Sequence, residues 1–129
     1  VRDAVPEPGL DDEQRRLFER GVAEFNDRHY FECHDTLEEM WAGLRGPARD
    51  FFQGLIQVSV AFYHLGGGNL AGARSMLSRA LKRFEPYPGR YFGFELGRHR
   101  DELRAWLERI DSGDLDEIGR HAPPRWDFD

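Results

Sequence analysis

A single cysteine, Cys33, stands in a chain of 129 residues. One thiol closes no intramolecular disulfide and supplies no cysteine cluster for a metal, so a reducing, cytoplasmic setting is expected. No apolar run approaches the roughly 20 residues that span a bilayer, which argues against a membrane protein. The opening VRDAVPEPGL has neither a basic start nor an apolar signal core, so export is not expected. Also missing are an HExxH pair and a lysine placed to complete a phosphate loop, and no Ser-His-Asp arrangement is legible from spacing. Positive charge is in deficit, 18 Lys and Arg against 24 Asp and Glu, for a net charge of -6. That balance disfavours nucleic acid as a main partner, since such binding needs clustered cations. What is present, 40% hydrophobic and 33% charged residues, is the profile of one globular domain. At this length about two-thirds of the unfolded surface can be buried, so a core can form without disulfides or a structural metal.

Residues 1–10 carry two prolines and a glycine and read as an extended N-terminal arm. Asp11 is a helix-capping residue, and Leu17, Phe18, Val22 and Phe25 then recur at three- and four-residue steps, which predicts an amphipathic first helix. Asn26 to His29 break that pattern. A second helix follows over about 30–44, ended by Gly46-Pro47. Residues 48–65 are apolar on nearly every side, the mark of a central helix surrounded by others. Gly66-Gly67-Gly68 ends it, Asn69 can cap a fourth helix over 70–84, and Pro86 and Pro88 stop that one. The aromatic-rich stretch 86–94 should fold back onto the core. A fifth helix is expected over about 95–110, a short turn at 114–119, and a tail at 121–129 that either docks or moves. The predicted fold is therefore all-α. Five main helices form two consecutive helical hairpins around the central buried helix, and the C-terminal helix covers an open side. Residues 11–120 make the single helical domain. A shift of 40 aligns Phe25 with Leu65, Tyr30 with Leu70, Leu37 with Leu77 and Trp41 with Leu81, a faint repeat that resembles tetratricopeptide-like hairpins but lacks most of their signature.

Chemistry can sit where polar groups interrupt these stripes. On helix 2, His34 and Glu38 lie one turn apart beside the apolar stripe, while Glu32, Thr36 and Glu39 fall on the opposite, solvated face. On helix 3, Gln53, Gln57 and His64 fall within a wedge about 40° wide. Buried amides and imidazoles need partners, so the short Gly46-Pro47 turn suggests that the two polar edges face one another in a shared pocket. Such a pocket has three readings: a hydrogen-bonded network that sets helix register, a small-molecule or catalytic pocket, or a metal site. His34, Glu38 and His64 with an open position would suit zinc, iron or manganese, with Glu38 as ligand or base toward an activated water. Cys33 sits on the core stripe and reads as a buried thiol. The glycine run reads as a helix-ending turn, and Arg79, Lys82, Arg83 and Arg90 as a small basic cluster favoured by the helix dipole. His99 falls near the apolar stripe of helix 5; His29 and His121 lie in turns.

The run Tyr30-Phe31-Glu32-Cys33-His34-Asp35 with Leu37-Glu38 and Trp41 is followed by Phe52-Gln53-Gly54-Leu55-Ile56-Gln57, His64, Gly68-Asn69 and Gly72-Ala73. Over about residues 17–84 this order of motifs resembles domain-of-unknown-function family 309. The resemblance implies a small all-helical fold with no established activity, and marks Glu32, His34, Glu38, Gln53 and Gln57 as its typical polar positions. The family pattern usually has alanine at Cys33, which argues further against thiol chemistry, and glutamate at Asp35, which argues against a role for a longer carboxylate at that position. Two functions are carried forward. One is a non-enzymatic binding or scaffold module for a protein or small molecule, with homo-oligomerisation as one form of it. Its pocket residues are Glu32, His34, Glu38, Gln53, Gln57 and His64. The other is a metal-binding protein or metal-dependent hydrolase using His34, Glu38 and His64.

Overall fold

The computed structural model describes residues 5–129; residues 1–4 of the expected arm lie outside the described residues. The elements are α1 (Asp12–Asn26), α2 (Tyr30–Ala42), α3 (Arg49–Gly66), α4 (Leu70–Phe84), α5 (Leu96–Ser112) and the short α6 (Leu115–Gly119). The protein is all-α. Among the described residues the sole strand-like feature is an isolated bridge between Tyr91 and Phe94.

Local rules place the helix ends. The Asp11 carboxylate accepts from the Gln14 backbone N–H at 2.8 Å and the Gln14 side chain accepts from the Asp11 N–H at 3.0 Å, which satisfies two of the amides a helix start leaves unpaired. Asn69 caps α4 in the same manner, its side-chain oxygen accepting from the Gly72 N–H at 2.9 Å. α2 stops at Ala42, earlier than the expected end near residue 44. The turn that follows is pinned from both sides: the Trp41 indole donates to the Arg49 carbonyl at 3.0 Å, and the Arg49 guanidinium lies 3.7 Å over the Trp41 ring while donating to the carbonyls of Trp41 and Leu44. These bonds satisfy carbonyls that the end of α2 would otherwise leave open.

Successive helices pack as neighbours, so that α3 has α2 on one side and α4 on the other. α2 in turn lies between α1 and α3, and this corrects one expectation. Thr36, assigned to the solvated face, is only 6% exposed, whereas Glu32 and Glu39 are open to solvent. A second packing partner widens the buried arc beyond the single stripe that periodicity reports.

The segment between α4 and α5 folds onto the core, burying Tyr87, Tyr91 and Phe94. The Tyr87 hydroxyl accepts from the Phe51 N–H at 3.0 Å and donates to the Pro47 carbonyl, tying this segment to the start of α3. Arg100 is buried and donates to the carbonyls of Phe84 and Tyr87, so a cation supplies the hydrogen bonds that the end of α4 needs. The C-terminal residues dock. Trp126 stacks on Phe25 with ring centres 3.6 Å apart, and the Asn26 side chain clamps the Trp126 backbone, donating to its carbonyl at 2.9 Å and accepting from its N–H at 2.8 Å. Phe128 stacks on Phe94 at 4.4 Å, and the Tyr91 hydroxyl donates to the Pro6 carbonyl at 2.6 Å.

His99 lies inside this assembly, 1% exposed, with its ring against Phe84 and Phe94. Neither ring nitrogen has a hydrogen-bond partner among the described residues; the Glu102 carboxylate stands 3.9 Å from Nδ1. Burial lowers the imidazole pKa, and Glu102 opposes that shift in part. A depressed basic group binds its proton less readily folded than unfolded, so its contribution to stability is complete above the unfolded value near 6.5. It falls as pH drops below that value, by up to about 1.4 kcal/mol per pH unit. Urea unfolding at pH 7.5, 6 and 5 should show this loss in the wild type and a flatter dependence in His99→Leu. Parallel pH dependences of the two proteins would refute it.

Candidate functional site

α2 and α3 meet at an open end of their cleft, where two aromatic side chains stay half exposed. Phe31 on α2 is 48% exposed and Tyr63 on α3 is 50% exposed, with ring centres 5.6 Å apart. Large apolar groups exposed side by side are uncommon on a surface unless something covers them. Beneath them is a slot of about 140 Å³ lined by Tyr30, Phe31, His34, Val60, Tyr63 and His64. It shares Tyr30, Phe31, Tyr63 and His64 with a wider depression of about 660 Å³ that extends over Arg28, Glu32 and Asn69.

His34 stands on the slot through α2. Its Nδ1 lies 3.1 Å from the Phe31 carbonyl one turn back, so that nitrogen is the donor. Nε2 then points away and lies 3.4 Å from the Glu38 carboxylate, while Asp35 approaches the ring from the Nδ1 side at 3.4 Å. His34 is partly sheltered and both carboxylates are open to solvent. His64 sits in the last turn of α3, its Nδ1 3.4 Å from the Asn69 amide nitrogen.

The expected shared pocket is divided. His34 and His64 line the same slot, and Glu32 lines the wider depression beside it. Gln53 and Gln57 instead line a separate depression between α3 and α4, with Asp50, Arg79, Lys82, Arg83 and Pro86. The three polar groups of the α3 wedge share an azimuth, but Gln53 and His64 are eleven residues apart, about 16 Å along the helix, so one direction leads to two places. The expected metal triad changes as well. Among the described residues the imidazole and carboxylate atoms that lie within 4.8 Å of one another are those of His34, Asp35 and Glu38, and His64 is not among them. Because Asp35 and Glu38 approach different ring nitrogens, an ion on Nε2 would have His34 and Glu38 as its protein ligands.

Other candidates resolve as structure. Cys33 is fully buried, and burial pushes its thiol up to about 12, far from the thiolate that nucleophilic chemistry needs. The glycine run closes α3 through bonds from Gly67, Gly68 and Asn69 N–H groups to its last carbonyls. Arg90 leaves the basic cluster, pairing with Glu95 and Asp129. Sequence reasoning passed over Tyr63 and gave Phe31 no role of its own. Phe31 lies about 100° from Tyr30, off the core stripe, and was detectable as an unburied aromatic. Tyr63 was not, since α3 is apolar nearly all round and offers no contrast.

Residues 18–76, which contain α2, α3 and the slot, match the family model described as Domain of unknown function (DUF309). The chain is also similar to the protein named Uncharacterized protein YpuF of Bacillus subtilis (strain 168), 32% identical over 88 residues, which is 66% of this chain and 51% of that protein. The chain thus spans about half the length of this curated relative.

Proposed function

Over residues 18–76 the chain carries the pattern of the DUF309 family, and from that premise we propose that it is a non-enzymatic binding module whose α2–α3 cleft receives a side chain of a partner protein. One observation carries this reading: Phe31 and Tyr63, half exposed on adjacent helices, roof an apolar slot with an imidazole on either side. The volume selects the occupant. A pocket for a drug-sized molecule measures roughly 300–1,000 Å³, and about 140 Å³ holds a single aromatic or aliphatic side chain. The adjoining depression leaves room for the segment that carries that side chain, and His34 and His64 supply polar contacts at its edge.

A titration of isotope-labelled protein with N-acetyl-phenylalaninamide, followed by two-dimensional amide NMR, tests this. Saturable shifts confined to Phe31, His34, Val60, Tyr63 and His64 are expected, and Phe31→Ala/Tyr63→Ala should weaken them about tenfold. Both rings are half exposed, so the thermal midpoint should move little. Absence of saturable shifts, or shifts centred elsewhere, would overturn the proposal.

A second reading rests on His34 Nε2 facing the Glu38 carboxylate at 3.4 Å. A histidine nitrogen facing a carboxylate one helical turn away is a two-point site for a divalent transition metal, with other positions left to water or a bound group. Elemental analysis of protein purified without chelator or histidine tag tests it. Stoichiometric zinc, iron or manganese that disappears in His34→Ala supports metal binding. Metal content that is unchanged in the variant, or absent from the wild type, rejects it.

A further inference from the structure

The depression between α3 and α4 lies apart from the aromatic slot and has a different chemistry. α4 presents Arg79, Lys82 and Arg83 on one face, three positions within about 100° of each other. α3 places Gln53 and Gln57 opposite them, one turn apart, and the lined space is about 450 Å³. Arg83 is neutralised by Asp50 at 2.9 Å. Arg79 and Lys82 have no ion-pair or hydrogen-bond partner among the described residues, so the pocket carries an excess of two positive charges: three cations less one carboxylate. This excess sits in a protein of net charge -6, where many other arginines are tied to carboxylates, carbonyls or indole rings.

We propose that this depression binds a phosphate-bearing small anion, with Arg79 and Lys82 contacting the phosphoryl oxygens and the Gln53 and Gln57 amides completing the site. Charge and geometry agree. Guanidinium and ammonium groups donate to phosphate in charge-assisted bonds, and side-chain amides can donate to the oxygens the cations leave free. The antiparallel start of α3 lies beside the end of α4, so the positive end of one helix dipole offsets the negative end of the other, and the field is left to the side chains. Polyanionic nucleic acid would need a longer basic track than three residues on one helix, which favours a small ligand.

Calorimetric titration with inorganic pyrophosphate at physiological ionic strength tests the site. Saturable one-to-one binding is expected, and Arg79→Gln/Lys82→Gln should weaken it at least about tenfold, since two charge-assisted contacts are lost. Gln53→Ala/Gln57→Ala should weaken it severalfold while leaving the net charge unchanged. Arg15→Gln/Arg16→Gln, which removes the same charge from exposed positions on α1, should leave it unaltered. Tighter binding of glycerol phosphate than of inorganic phosphate would assign the site to an organic phosphomonoester, and the reverse order to the free anion. The proposal falls if the wild type shows no saturable binding. It also falls if the α1 double variant loses as much as the α4 one, which would reduce the effect to the field of the whole protein. Circular dichroism melts of all variants separate binding loss from unfolding, and none of these outcomes depends on the aromatic slot.

Discussion

Trp126→Ala should destabilise the protein by about 3–5 kcal/mol, the range for truncating a large aromatic in a packed interior. The residue is 1% exposed, and its ring lies parallel to Phe25 at 3.6 Å. Removing it uncovers Phe25, itself 1% exposed, and leaves the tail held by the Asn26 clamp, the Phe128–Phe94 stack and the Arg90–Asp129 pair, none of which covers α1 as the indole does. The cost therefore has two parts, the lost transfer energy of the indole and the loss of cover over α1. Urea unfolding followed by circular dichroism measures it as a lower midpoint with an unchanged slope. A shift below about 1 kcal/mol would mean that the tail does not dock in solution, since surface substitutions away from packed features stay within about 0.5 kcal/mol.

Substitution of Gly54 should be similarly damaging for the opposite reason, excess volume. A Cβ at this position would lie 2.4 Å from Cε1 of Phe84, whose ring is fully buried and cannot swing aside. Alanine favours a helix over glycine by about 1 kcal/mol, but displacing a packed ring costs about 1–3 kcal/mol, so Gly54→Ala should be a net loss. Gly54→Leu should lose about 3 kcal/mol or more, because the added branches have no room between α3 and α4. Introducing Phe84→Leu beside Gly54→Ala should recover part of the deficit, and the double-mutant cycle gives the coupling. If Gly54→Ala proves stabilising, the two helices do not approach as closely as the structure places them.

Much of the fold was legible because the signals that mark a helix are local. Asp11 and Gln14, Asn69 and Gly72, and Pro86 after Phe84 act over three or four residues, and their effects do not depend on what packs above them. Buried stripes were legible for the same reason. Thr36 was misplaced because the width of the buried arc depends on how many neighbours a helix has, and α2 has two. The candidate site was legible in part. His34 and Glu38 meet as their spacing requires, since four residues is one helical turn. Asp35 was set aside, yet its carboxylate reaches the same ring from the other side. The exposed Phe31–Tyr63 pair joins residues from two helices, and no pattern within either one reports it.

The sequence by itself determined where helices begin and end to within about two residues, which faces are apolar and which polar groups share an azimuth, because each follows from the 100° step of a helix and the chemistry of its ends. The tertiary structure decided which of those groups meet. It sent Gln53 and Gln57 to the basic face of α4 and His64 to the slot beside His34, and it closed the tail over Phe25. The reason is geometric: azimuth specifies a direction around one axis, while contact also requires height along it and the position of a second helix, and those are set by packing.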